Sequence, residues 1–392
     1  MKLFRPFSLA VLLFFGIQAN AQQPIKLSLD SAVNYAISHN RTLINSRYAV
    51  DKSVQKIKET ISQGLPQVNA SVDYSNFLGA TASLQLNPSA PPAIIEFNPT
   101  SNFKANASQL IFNGSYFVGI QLSKLGKSIA EQSYQKDELN VKEQVIQAYY
   151  IILASERILP IINENKTNAQ HIYDKTQTLA TAVMIEQTDA KKLSVMVASI
   201  ENAFKSTQRQ VEFGYNLLRL QLGIESEQAI QLSTRLDDIA LLYIRPTIAV
   251  EAFNIQDNQD FKLVSMQGEI ALKSIQLKKA SYLPSMAAFY SYTEKLKKPV
   301  FDMSPKHVLG VTLNIPIFSG GLRSSQLNQA RIDYDLSKNT QDLLTEQLTL
   351  QERQLRYNYN NLLEQYQSQQ TNVEIAKEVL DKMKLKYQQG II

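Results

Sequence analysis

Three histidines are the first candidates for metal-binding or catalytic chemistry in this 392-residue chain. His39, His171 and His307 lie far apart, and none is spaced with a second histidine or a carboxylate as such motifs require. The dipeptide Gly114-Ser115 lacks the Gly-x-Ser-x-Gly pattern of a nucleophile elbow. The sequence also shows no phosphate-binding glycine-rich loop. We therefore expect no enzyme, no cofactor and no metal site, and we interpret His39 as a capping or surface residue at a helix end.

The composition excludes further classes of function. The chain has no cysteine, so it has no disulfide, no thiolate metal site and no cysteine for a lipid anchor. Its formal net charge of +5 is spread without a basic block, which argues against nucleic-acid binding. After the N-terminal segment there is no run of about 18 consecutive apolar residues, and on this ground we expect no membrane-spanning helix.

The N-terminal segment predicts secretion. Lys2 and Arg5 give a positive start, residues 9–17 form an apolar core, and Ala19-Asn20-Ala21 is a small-residue cleavage site. The apolar core is too short to span a bilayer as an anchor. We predict a signal peptide at residues 1–21, cleaved after Ala21.

The rest of the sequence contains two copies of one unit. The segment 40–68 recurs at 258–286, an offset of 218 (258 − 40), and carries Leu65-Pro66 onto Leu283-Pro284. The tetrapeptide Ile111-Phe112-Asn113-Gly114 recurs as Ile317-Phe318-Ser319-Gly320, an offset of 206 (317 − 111). The connection between these anchors is therefore 12 residues shorter in the second copy (218 − 206). We predict a first repeat at 22–223 and a second at 251–392.

Each copy contains two segments in which apolar and polar residues alternate, as in a barrel strand with one apolar and one wet face. An ordinary soluble antiparallel sheet shows the same alternation. The predicted connections, 76–102 and 294–307, are long and rich in proline or lysine. The apolar series are Val68, Ala70, Val72 and Tyr74; Phe103, Ala105, Ala107 and Ile111; Met286, Ala288, Tyr290 and Tyr292; and Val311, Leu313, Ile315 and Ile317.

Very long helices follow these segments. Residues 322–389 contain neither glycine nor proline, and 127–213 contain only Pro160 as a breaker. Apolar residues recur at intervals of seven, as in Leu336, Leu343 and Leu350, which predicts coiled-coil packing against equally long helices. We expect a descending partner helix at 188–222, capped by Thr188 or Asp189 and ended by Gly223. The turn at 180–187 would then be the tip of a helical hairpin.

In their order and duplication, these elements resemble the TolC-like outer-membrane efflux protein family over essentially the whole mature chain. The junctions Leu65-Pro66 and Leu283-Pro284, the two Ile-Phe-x-Gly segments, and the Leu-rich, glycine-terminated segment 217–223 carry the resemblance. It implies a mixed, mostly α fold with long antiparallel coiled-coil hairpins. It also implies four membrane strands per protomer, a homotrimer with a β-barrel of about 12 strands, and a helical barrel in the periplasm. Residues 224–250 would form an equatorial linker.

The resemblance further implies function and partners. The chain would be the exit duct of a tripartite efflux or type I secretion system in outer-membrane lipid, served by a periplasmic adaptor and an inner-membrane transporter. We expect a gate and adaptor contact at the helical tips: Ala182, Val183, Met184, Asp189, Gly390 and Ile391. Asp189 is either a gate carboxylate or a helix cap.

Two departures from the family pattern qualify this interpretation. The first tip has Ala182-Val183-Met184 where the family usually has glycine, whereas the second keeps Gly390. Internal arithmetic places the counterpart of Gly223 near residue 430, so we expect the second repeat to be C-terminally incomplete (roughly 40 residues). The alternative function is a periplasmic coiled-coil scaffold or adaptor without a pore.

Overall fold

A computed structural model of the chain describes residues 24–85, 91–238, 252–298 and 304–389. The predicted signal peptide, much of the predicted linker, Gly390 and Ile391 lie outside these residues. The chain divides into two units, each built from two stretches of sequence. The first contains residues 1–41 and 140–245, and the second contains 42–139 and 246–392.

The first unit combines a small parallel sheet with helices. Strand β1 (Ile25–Leu27) pairs with β6 (Ile230–Leu232), and helix α1 (Leu29–His39) follows β1 directly. The unit also contains the later part of α3 (Gly114–Thr181) and the whole of α4 (Gln187–Leu222). His39 is the last residue of α1, which confirms its predicted position at a helix end.

The core of the first unit is organised by two contacts of high sequence separation. The buried Tyr149 hydroxyl donates to the Leu27 carbonyl at 3.0 Å and accepts from the Thr234 amide at 3.2 Å. Gly223 ends α4 in the left-handed conformation, with φ of 69°, as predicted. A Cβ added to Gly223 would overlap the His39 carbonyl oxygen, so this position requires glycine for both its backbone angle and its space.

The second unit contains a four-stranded antiparallel sheet between helices. The strands stand in the order β2-β5-β7-β8, with β2 at Gln67–Ser75, β5 at Thr100–Asn113, β7 at Ser285–Lys297 and β8 at His307–Asn314. Helix α2 (Arg41–Ser62) leads into β2, and α5 (Gln259–Ala280) leads into β7. The first part of α3 follows β5, and α6 (Leu322–Gln388) follows β8.

The strand boundaries differ from the predicted ones in three places. The predicted connection at 76–102 contains a hairpin of its own, β3 (Thr81–Leu84) with β4 (Ala93–Glu96). Strand β7 continues three residues past the predicted start of the second connection at Glu294. Strand β8 ends at Asn314, before Ile315 and Ile317, because Pro316 has no N–H to continue a ladder.

The two long helices are confirmed, with 68 residues in α3 and 67 in α6. Helix α3 continues through Pro160. Within the described residues, α3 is the one helix long and apolar enough to cross a membrane by length and composition, so the exclusion of such a helix was too strong. This finding is weak, because the apolar part of α3 includes side chains that are fully buried inside the first unit: Val145, Ala148, Tyr149 and Ile152.

Candidate channel-lining sheet and helical tip

One face of the four-stranded sheet is largely apolar. Its register places Val68 opposite Ala107, Ala107 opposite Tyr290, and Tyr290 opposite Leu309. Three of these strands also contribute exposed apolar residues to the same face, including Val72 (65% exposed) and Val311 (61% exposed). The alternation predicted within each strand is therefore joined across strands into one surface. Such a surface is suited to contact with lipid.

The opposite face of the sheet carries most of its polar side chains, and several of them are paired with one another. The Lys104 ammonium lies 3.1 Å from an Asp73 carboxylate oxygen, and the Asn102 amide donates to the other oxygen of that carboxylate at 2.8 Å. On the neighbouring strand pair, the Ser291 hydroxyl donates to the Asn106 side chain at 2.6 Å. These side chains form a hydrogen-bonded, hydrophilic surface suited to contact with water.

Phe289 breaks the polar alternation of this face, and the structure shows the reason. Phe289 stands opposite Gly310 of β8, and its ring covers the space above that glycine. A Cβ added to Gly310 would lie 2.7 Å from the Phe289 ring. The ring therefore takes the volume that a side chain would fill, and this pairing was not predicted from the sequence. An aromatic residue at the wet-face position opposite a strand glycine was the available signal.

The end of β5 contains a bulge that changes one prediction. Leu110 pairs with Ala287 and Phe112 pairs with Met286, so Ile111 is the extra residue. Ile111 was predicted to continue the apolar series, but Phe112 occupies that register position. The alternation could not show the bulge. One extra residue moves the following side chains to the other face, and no residue type marks where this happens.

Both outer strands of the sheet have an open edge. Strands β2 and β8 stand at its two ends, and each has one partner strand within the part of the chain that the structure describes. Several of their apolar side chains are strongly exposed, among them Val68 at 73% and Leu309 at 80%. A long, apolar, unpaired edge is a surface that proteins normally cover or close.

The first helical tip is a Schellman motif with valine in the glycine position. The Met184 amide donates to the Leu179 carbonyl at 3.0 Å, and the Val183 amide donates to the Ala180 carbonyl at 3.1 Å. Val183 has φ of 58°, in the left-handed region that a β-branched residue rarely adopts. The turn therefore keeps the left-handed backbone that glycine would give, although the sequence has no glycine there.

The tip presents apolar side chains to solvent. Val183 is 90% exposed and Met184 is 72% exposed, and both lie between the end of α3 and the start of α4. Ala182 is also exposed. The structure thus brings three of the predicted tip residues together, while Gly390 and Ile391 lie outside the described residues.

The predicted helix cap at the tip was wrong. Helix α4 starts at Gln187 with Glu186 in the cap position, and Glu186 makes no side-chain capping bond. Thr188 donates its hydroxyl to the Glu186 carboxylate at 2.9 Å instead. Asp189 lies in the first turn, where a negative charge is favourable, and its carboxylate is 3.2 Å from the Lys192 ammonium.

Polar and cationic contacts join the two helices behind the tip. The Lys166 ammonium lies 5.0 Å from the centre of the Phe204 ring. The Tyr215 hydroxyl donates to the Glu156 carboxylate at 2.8 Å, and partial burial together with this bond raises the pKa of Tyr215. The Lys205 ammonium beside Glu201 lowers the pKa of that carboxyl. The first two contacts join α3 and α4 as an antiparallel hairpin, whereas the ion pair of Lys205 with Glu201 lies within α4.

The heptad residues of α6 are mostly exposed in the single chain. Leu336, Leu343 and Leu350 are 59%, 52% and 67% exposed. An apolar series of this length on one helix is typical of a helix that packs against others. Polar residues fill most of the remaining positions of α6.

The described residues thus combine a sheet that has a largely apolar and a largely polar face with helices of nearly 70 residues. Solved channels share this fold. The match to the structure of CusC covers 93% of this chain and 83% of the CusC chain, with a TM-score of 0.67 at 17% identity. The match to the CmeC outer membrane channel of Campylobacter jejuni covers 81% of this chain and 68% of the CmeC chain, with a TM-score of 0.59 at 16% identity.

The sequence comparisons agree with the fold. Residues 255–392 match the family model of the outer membrane efflux protein. The outer membrane protein TolC of Salmonella enteritidis is 20% identical over 296 residues, which cover 72% of this chain and 57% of that protein. The chain thus spans a little more than half the length of this relative.

The chain is similar to the TolC-like outer membrane efflux proteins, the family that its repeats and junctions predicted. The predicted location in the outer membrane, with the helical part in the periplasm, is confirmed by the same matches. The matched family and the shared fold are those of outer membrane channels, which are not enzymes.

Proposed function

We propose that this protein is the outer-membrane exit duct of a tripartite efflux or type I secretion system. It is a passive conduit for solutes that an inner-membrane transporter delivers through a periplasmic adaptor. Transport through a water-filled duct requires no covalent step, so the duct needs a wet lumen, a lipid-compatible exterior and a gate.

The sheet register carries this proposal. The four strands place most of their apolar residues on one face and most of their polar residues on the other. This arrangement fits a wall between lipid and water, since transmembrane strands alternate in this way. The ion pair of Asp73 with Lys104 then lies on the lumen side.

Assembly as a homotrimer would close the open edges of the sheet. Four strands cannot enclose a lumen, and backbone groups at an open edge cannot remain unpaired in lipid. Three copies would close a barrel of about 12 strands. The exposed heptad residues of α6 would then be covered in a helical barrel in the periplasm.

The gate in this proposal lies at the helical tips. Val183 and Met184 are exposed there and would make apolar contacts in the closed trimer. Asp189, together with Gly390 and Ile391 of the second tip, completes the proposed gate and adaptor contact. Asp189 is bonded to Lys192, so its carboxylate also stabilises the first turn of α4.

Membrane fractionation tests the proposal. The full-length protein should be found in the outer membrane as an oligomer that changes its gel mobility on heating. After reconstitution in a planar lipid bilayer it should conduct ions. A soluble periplasmic monomer would contradict the channel and support the scaffold or adaptor alternative.

A transport assay separates the channel from its partners. Deletion of the adaptor gene should abolish export while the oligomer still assembles in the outer membrane. Export that continues unchanged without the adaptor would contradict the tripartite arrangement and leave the channel itself intact.

A further inference from the structure

The first strand-to-helix junction lies between two helix-to-strand turns. On one side, the Tyr116 hydroxyl donates to the Ile61 carbonyl at 3.0 Å, next to the turn between α2 and β2. On the other side, a Cβ added to Gly114 would lie 2.8 Å from Leu283 Cδ1 and 3.2 Å from the Ala280 carbonyl oxygen. Leu283 and Ala280 belong to the turn between α5 and β7. The first junction is therefore enclosed on both sides within one chain.

The second junction, which follows β8, is enclosed on one side only. The Arg323 guanidinium lies 6.0 Å from the centre of the Tyr282 ring, in the turn before β7. No atom lies within 4 Å of a Cβ added to Gly320 in this junction. Ile317 is 92% exposed and Phe318 is 88% exposed, whereas their counterparts Ile111 and Phe112 are 45% and 39% exposed.

We propose that β8 of one copy pairs with β2 of a second copy in a specific register, and that Ile317 and Phe318 pack on that copy's turn between α2 and β2. This inference rests on the proposed trimeric channel and adds to it the residues that meet. The strand directions allow the pairing. Strand β2 runs parallel to β7 through two antiparallel pairs, and β7 is antiparallel to β8, so β2 and β8 have opposite directions.

The internal repeat supplies the register. In one chain, β5 pairs with β7. Adding the offset of 206 to a residue number in β5 gives its counterpart in β8, and subtracting 218 from a residue number in β7 gives its counterpart in β2. The observed pair Ala107 and Tyr290 becomes Leu313 opposite Val72 of the second copy. The observed pair Phe112 and Met286 maps onto Phe318 and Val68, which places Phe318, beyond the end of β8, beside the start of β2 of the second copy.

The faces of the two strands agree with this register and exclude a slip of one residue. The same transfer places Val311 opposite Tyr74 on the apolar face and Asn314 opposite Ser71 on the wet face. Apolar residues therefore meet apolar residues, and polar residues meet polar residues. A slip of one residue would put Leu313 opposite a polar residue of β2 and would turn one strand's apolar face to water.

Disulfide cross-linking measures this register, because the chain has no natural cysteine. The variant Asn314→Cys with Ser71→Cys should form linked dimers and trimers when intact outer membranes are oxidised. The link cannot form within one chain. Strands β2 and β8 are separated there by β5 and β7, or about 14 Å at the usual strand spacing, whereas a disulfide needs Cα atoms within about 7 Å.

Two matched variants control the experiment. Asn314→Cys with Val72→Cys represents the one-residue slip and should give few or no linked oligomers. Asn106→Cys with Ser291→Cys joins two residues that already contact within one chain, so it should oxidise without linking copies.

The outcomes separate the register from the channel. A heat-modifiable oligomer in which the slipped pair cross-links, or in which neither pair does, would overturn the register and leave the channel standing. It would also leave Ile317 and Phe318 facing lipid. The absence of any oligomer for the unmodified protein would overturn the register and the proposed function together.

Discussion

The two repeats fill the same junction with an aromatic ring supplied from opposite sides. In the first repeat the turn before β2 contains Gly64, and the Tyr116 ring from the start of α3 lies over it. The offset of 218 carries Gly64 onto Tyr282, so in the second repeat the turn itself supplies the ring. The residue that meets that ring from the start of α6 is Arg323.

The starts of the two helices differ in a related way. Asn113 accepts hydrogen bonds from the amides of Ser115 and Tyr116 at 2.9 and 3.3 Å, and α3 begins immediately at Gly114. In the second repeat Gly320 and Gly321 both have positive φ, of 56° and 86°, and α6 begins only at Leu322. The first junction is held by side chains, whereas the second has a glycine-rich backbone and an open side. Interactions across the first junction should therefore contribute more to the stability of the single chain.

Gly64→Ala should have the largest effect. An added Cβ overlaps the Tyr116 ring, so the ring must move and its hydroxyl loses the Ile61 carbonyl. Overpacking of this kind costs about 1–3 kcal/mol. The midpoint of thermal unfolding in detergent should fall accordingly.

The control for this prediction removes the ring as well. Gly64→Ala with Tyr116→Leu should recover part of the lost stability relative to Gly64→Ala alone, because the overlap is gone. Equal losses in the single and double variants would show that the ring does not occupy this space.

Asn113→Ala should have the next largest effect. The loss of a side-chain cap on a helix start costs about 1 kcal/mol, and Asn113 caps two amides of the first turn of α3. The unfolding midpoint in urea should decrease. The matched variant in the second repeat is Ser319→Ala, which should change little, because Ser319 holds the start of α6 through its backbone carbonyl. A larger loss from Ser319→Ala would reverse the proposed difference between the junctions.

Much of the fold could be predicted because the repeat and the alternation are visible in the order and spacing of residue types along the chain. The turns at Leu65-Pro66 and Leu283-Pro284, the four strands and the end of α4 at Gly223 all follow from residue types and spacing. The hairpin of β3 and β4 could not be predicted, since strands of four residues give little pattern.

The details of the candidate site were less predictable for a different reason. Glycine was expected at the tip, yet Val183 adopts the same left-handed backbone because the Schellman bonds of the helix end determine the turn. The contact of Tyr116 with Gly64 joins residues 52 positions apart (116 − 64), and no local pattern reports such a contact.

Val183→Gly should produce a smaller change of opposite sign. A left-handed conformation costs a residue with a Cβ roughly 1–2 kcal/mol, and the greater chain entropy of glycine offsets about 0.4–1 kcal/mol of this. The net effect is a small gain in tip stability, measurable as slower hydrogen exchange of the Met184 and Val183 amides. Met184→Gly is the control. Met184 is not in the left-handed region, so its replacement should speed exchange. Faster exchange in both variants would show that Val183 is not strained.

Arg323→Ala should have the smallest effect and tests whether the ring of the second junction is held as firmly as the ring of the first. A cation over an aromatic face at an exposed site contributes about 0.5–1 kcal/mol, and the distance of 6.0 Å lies at the outer limit of that interaction. A double-mutant cycle with Tyr282→Leu should give a coupling of about 0.5 kcal/mol or less. The cycle of Tyr116→Leu with Gly64→Ala should give a larger coupling, because that contact is steric and enclosed. Equal coupling free energies in the two cycles would contradict this difference. They would mean that the open side of the second junction does not weaken the contact of Arg323 with Tyr282.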